Sequence, residues 1–149
     1  MAELRQKVTL LKGWSDISKE NPDGPPTFYR HRSDNPGVLQ VSFAEHKGGE
    51  IPNPTEDDLK AMSVKDGEKF GWGEVVEVNS GSCAFGKYGT AVFQSPEHGR
   101  SQIWHASDGK SFFLVTLLAA QDAEEIAEAQ EIVNMLDARI EEKPKWKFW

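Results

Sequence analysis

Ser111-Phe-Phe-Leu-Val-Thr-Leu-Leu-Ala-Ala120 is the stretch that decides the fold. Between Phe112 and Leu118 only Thr116 is polar, so a strand over this run carries apolar side chains on both faces. Such a strand needs a covering layer on each side of its sheet, which places it centrally. A helix follows directly. Asp122 and Glu125 have capping-box spacing, and Ile126, Ala129, Val133, Leu136 and Ile140 recur at intervals of three and four. The pattern predicts a helix of about five turns packed on the strand. Pro144 would end it, and Glu124, Glu128, Glu131 and Asp137 would face water.

Upstream of the apolar run, Ser107-Asp-Gly109 separates Ile103-Trp104 from Phe112-Phe113, and Asp-Gly suits the positive φ angles of a tight hairpin turn. From Glu74 onward, strand formers are interrupted by Gly81, Gly86, Gly89 and Pro96-Glu-His-Gly99, which predicts several successive antiparallel strands. Before them a helix starts at Asn53 or Thr55, each followed three residues later by an acidic partner, Glu56 or Asp58. Leu59, Met62 and Phe70 give that helix a thin apolar stripe, and Gly67 weakens its second half. Thr27 to His31 and Val38 to Glu45 flank Ser33-Asp-Asn-Pro-Gly37 and read as a hairpin, with Leu39, Val41 and Phe43 on one core face. Val8 to Trp14 reads as a further strand, ahead of the turn-rich Ser15 to Pro26. The expected class is α+β: a mostly antiparallel β-sheet flanked by helices, with a long C-terminal helix packed on the sheet. Residues 1–142 are expected to form one domain, followed by a tail at 143–149.

Composition narrows the function classes. The chain has 149 residues, 24 acidic and 17 basic side chains and a net charge of −7, a balance that repels phosphate backbones and argues against nucleic acid as a partner. Cys83 is the single cysteine, so no intramolecular disulfide forms and a reducing, cytoplasmic location is expected. The apolar run Val8 to Leu11 is too short for a secretory h-region, and Phe112 to Ala120 is too short to span a bilayer as a helix.

The residues that could carry chemistry do not assemble into a known pattern. Cys83 lies between small residues and reads as a small buried hydrophobe rather than a nucleophile. His31, His46, His98 and His105 show no metal-ligand spacing, and Gly71-Trp-Gly73 lacks a third glycine at Val76. Gly81 to Gly86 lacks the Lys-Ser or Lys-Thr end of a P-loop, and Glu56-Asp57-Asp58 suits a helix start better than a calcium loop. No catalytic residue, cofactor or metal is therefore expected. A pocket near Trp72, Trp104 and His105 is the alternative, serving a small-molecule-binding protein or a hydrolase. The tail Lys143-Pro-Lys-Trp-Lys-Phe-Trp149 interleaves three lysines with three aromatics. Trp146, Phe148 and Trp149 are its candidate partner-binding residues, with weak peripheral contact to an anionic membrane as a second use; the plainer alternative is a tail that folds back over an apolar patch of its own domain or frays.

The order of elements, with Gly13-Trp14-Ser-Asp16, Leu39-Gln-Val-Ser42 and Asp108-Gly109 followed by Phe112-Phe-Leu-Val115, resembles the PsbP-like or Mog-like α/β/α sandwich over Val8 to Ile140. Members of that fold are mostly non-catalytic: photosystem accessory subunits, a small-GTPase-binding import factor and cytosolic chaperones of bacterial secretion effectors. The resemblance implies a non-enzymatic accessory or adaptor protein that works by protein–protein interaction.

Overall fold

The computed structural model describes residues 3–20, 23–31, 36–45, 52–97, 99–120 and 123–141. Its strands are β1 (Glu3–Lys7), β2 (Trp14–Asp16), β3 (Thr27–Arg30), β4 (Val38–Glu45), β5 (Glu74–Cys83), β6 (Gly86–Ser95), β7 (Gly99–Ser107), β8 (Ser111–Leu118) and β9 (Asp137–Glu141). Among the described residues two α-helices, α1 (Glu56–Phe70) and α2 (Ala123–Asn134), accompany them. Seven strands form one antiparallel sheet in the order β2-β3-β4-β8-β7-β6-β5, which puts the apolar β8 in the middle. The class is α+β, as expected from the sequence.

The two faces of β8 are covered unequally, the side chains of one being buried and those of the other half-buried. Phe113, Val115 and Leu117 are fully buried in one cluster with Leu39, Val41 and Trp104, closed by Ala129, Ile132 and Val133 of α2. Leu114 points the opposite way and packs with Ala91, Phe93, Ile103, Val64 and Trp72 beside α1. Thr55 caps α1 through a reciprocal capping box with Asp58, and Gly71 ends it in the left-handed conformation at φ 72°. Glycine is needed on this side for close approach. A Cβ at Gly89 would sit 2.2 Å from the Lys60 backbone nitrogen, and one at Gly67 would sit 2.0 Å from the Phe93 ring. The Ser63 hydroxyl donates to the Gly89 carbonyl at 3.0 Å, which fixes the helix on β6.

Three expectations need correction. The C-terminal helix stops at Asn134 rather than running toward Ile140; Leu136 lies beyond it, and residues 137–141 pair antiparallel with β1, from Lys7↔Asp137 to Glu3↔Glu141. The cause is non-local: β1 supplies a backbone partner, and the Asn134 carbonyl accepts from the Ala84 amide at 2.9 Å. Leu136 remains in the core all the same. Val8 to Trp14 is not one strand, because the Trp14 amide turns back to the Leu11 carbonyl at 3.1 Å around Gly13, φ 97°. Glu128 does not face water. Its carboxylate takes the Trp14 indole N–H at 2.9 Å and Arg30 Nη2 at 3.2 Å, and Arg30 is itself only 4% exposed. Neighbouring Glu125 is fully buried and accepts from the Gly37 amide at 3.1 Å. Asp122, the proposed cap, lies outside the described residues.

Candidate functional site

The alternation of a strand separates residues that adjacency in sequence had brought together. Trp104 points to the α2 side, where its indole N–H donates to Gln130 Oε1 at 2.9 Å. His105 points to the α1 side, with Nε2 2.9 Å from Asp66 Oδ2. Trp72 packs edge-on against Phe93 at 6.4 Å between centroids, also on the α1 side. Trp72, Trp104 and His105 therefore do not line one pocket, because the sheet itself stands between Trp104 and the other two.

His105 is 6% exposed, and burial pulls its imidazole below the ordinary value of 6.5, against the opposing pull of the Asp66 carboxylate. The folded protein holds the ring neutral while the unfolded chain protonates first as pH falls. The stability this provides is present above pH 6.5 and is lost as pH falls through the lower folded value. His105→Gln should flatten the decline in Tm just below pH 6.5; an unaltered slope would show that another group carries it. The ring serves as a tie between β7 and α1.

Cys83 packs against the α2-side core, and burial pushes its thiol up, so it stays protonated at neutral pH. His31 is exposed and hydrogen-bonds the Ser15 hydroxyl through Nδ1 at 2.9 Å. Among the described residues, no group of three His, Cys, Asp or Glu side chains could hold a metal ion. His46, His98 and the tail residues Trp146, Phe148 and Trp149 lie outside the described residues.

What the structure does bring together is apolar and exposed. Phe70, Val75, Val76 and Val78 are the exposed large hydrophobics among the described residues, at 41 to 58% exposure, and all four fall within one short stretch of chain. Val75, Val76 and Val78 stand on β5, which pairs with β6 on one side and forms an edge of the sheet. The register slips between Val75 and Glu77, a bulge at Val76 of the kind that blunts an edge against uncontrolled pairing. Phe70 ends α1 and leans on Trp72 at 5.3 Å between centroids. Beyond these two rings α1 leaves the sheet uncovered. An open groove of about 410 Å³ runs there, floored by Gln40, Ser42, Leu114 and Thr116 and walled by Phe70 and Trp72. The sequence offered one cue, the run Glu74-Val-Val-Glu-Val78, and only the strand order shows that it lies on an edge.

No protein-family model matches the chain, and no curated protein matches it in sequence. Solved structures do match its fold. The solution structure of the cyanobacterial PsbP protein CyanoP from Synechocystis sp. PCC 6803 superposes with a TM-score of 0.55 at 11% identity, over 93% of this chain and 94% of that one. The fold is PsbP-like. A crystal structure from Bacteroides thetaiotaomicron matches with a TM-score of 0.51 at 18% identity over 90% of this chain. There the chain spans less than half, 45%, of the matched protein's length. At these identities the likeness is one of fold. No helix among the described residues is long and apolar enough to cross a membrane.

Proposed function

We propose that this chain is a non-catalytic accessory protein whose partner is another polypeptide, bound along the β5 edge and over Phe70. The observation that carries this reading is the concentration of exposed large apolar side chains between Phe70 and Val78. An edge strand offers a row of unpaired backbone groups, and an extended partner segment satisfies them while its side chains meet the valines. Glu74 and Glu77 on the same strand favour a segment with Lys or Arg among its apolar residues. The accessory role of a PsbP-like fold is consistent with this, and Trp146, Phe148 and Trp149 form a second contact in the proposal.

Affinity purification from the source cell, with quantitative mass spectrometry, compares the full chain with Val76→Lys/Val78→Lys and with a chain cut after Glu142. Substitutions at exposed positions should change stability by less than about 0.5 kcal/mol. The expected outcome is one co-purifying protein lost with the lysine pair and weakened by the truncation. Equal recovery with the lysine pair would overturn the assignment to β5.

A further inference from the structure

A second site lies on the opposite, α2-facing side of the sheet and is polar. Between β5–β7 and α2 is a cavity of about 330 Å³, lined among others by Glu77, Tyr88, Arg100, Gln102 and Gln130. Gln102 is only 6% exposed, and its Oε1 has no hydrogen-bond partner among the described residues. The amide cannot usefully be turned over. Its Nε2 donates to the Thr90 hydroxyl at 2.9 Å, and that hydroxyl spends its own proton on the Ile103 carbonyl at 2.7 Å. Two residues away on the same face of β7, Arg100 Nη1 is likewise buried without a partner among the described residues. Gln130, across the cavity, is already engaged with Trp104 and Asn134.

A buried carbonyl oxygen and a buried guanidinium N–H left unmatched on one face of a strand are costly for a fold, and they are what a binding site needs. We propose that this cavity binds a small carboxylate that carries a neighbouring O–H or N–H donor. The carboxylate accepts from Arg100, and the donor satisfies Gln102 Oε1. Glu77 on the exposed rim moderates the positive field of Arg100 without hydrogen-bonding Nη1. The volume is that of a small-metabolite site. The site borders β5 through Glu77, but the residues that carry it, Arg100 and Gln102, lie on β7 and take no part in the edge assignment, so either assignment can fail alone.

The probes are lactate, glycine and N-acetylglycine, which carry the donor as hydroxyl, ammonium and amide. Acetate lacks the donor, and lactamide lacks the charge. Each is titrated into the full chain to about 20 mM, and the side-chain NMR signals of Gln102 and Arg100 are followed. At least one of the three should saturate those signals and bind about tenfold or more tightly than acetate or lactamide. Arg100→Met should abolish that binding without lowering Tm, since it removes a buried donor that has no partner. Gln102→Met should weaken the donor-bearing probe toward the level of acetate, and it serves if Arg100→Met does not fold. The proposal is overturned if no probe beats acetate, or if binding survives both substitutions.

Discussion

Gly89→Ala is expected to cost about 3 kcal/mol of stability, the upper part of the range for overpacking a well-filled site. The added methyl would lie 2.2 Å from the Lys60 nitrogen and 2.4 Å from the Leu59 carbonyl carbon, both backbone atoms of α1. A side chain can rotate away from such a clash, but a helix backbone can only lift. Lifting it breaks the Ser63 hydrogen bond to the Gly89 carbonyl and loosens the fully buried Leu59. Gly67→Ala is the internal comparison. It meets the end of the Phe93 ring rather than backbone, and it gains up to about 1 kcal/mol in helix propensity. Urea unfolding midpoints should therefore rank wild type above Gly67→Ala and Gly67→Ala above Gly89→Ala. A Gly89→Ala midpoint equal to wild type would mean that α1 does not rest directly on β6.

Arg30→Met should be comparably damaging, at about 3 kcal/mol, the lower end for breaking a buried ion pair. Arg30 is almost fully buried on β3 and holds Glu128 at 3.2 Å and Glu124 at 3.3 Å, both from α2. Methionine matches the length of the stem but leaves the Glu128 carboxylate, whose side chain is 20% exposed, without its buried counter-charge. Glu124 is 72% exposed and loses little. Because the penalty comes from the stranded charge, Arg30→Met/Glu128→Leu should recover part of it, and a double-mutant cycle in urea measures how much. Simple additivity of the two losses would place the stabilisation elsewhere than in this pair.

What could be seen in the sequence was local. The apolar run at Ser111, the Asp108-Gly109 turn, the Thr55 cap and the alternation through Leu39, Val41 and Phe43 each depend on neighbours within a few residues. What escaped depends on partners far along the chain. Residues 137–141 continue a spacing of three and four, yet β1 pairs with them from the other terminus. Glu128 sits at a polar position of a helical pattern, yet Arg30, 98 residues away, draws it inward. The candidate sites divide in the same way. Trp104 and His105 were separable by the period of two alone, whereas the exposure of Val75, Val76 and Val78 follows from β5 ending the sheet, and strand order is not written in any one strand. Gln102 and Arg100 give no sequence signal, because Ser101, His105 and Ser107 make the same strand polar at other positions too.

In the proposed function, binding takes place at the β5 edge. The decisive measurement is amide hydrogen exchange, residue by residue, with and without the protein recovered in the affinity experiment. The β5 amides not paired to β6 should exchange quickly in the free chain and gain protection in the complex, together with those around Phe70 and Trp72. Protection confined to other surfaces, with β5 exchanging as fast in the complex as alone, would contradict the proposal.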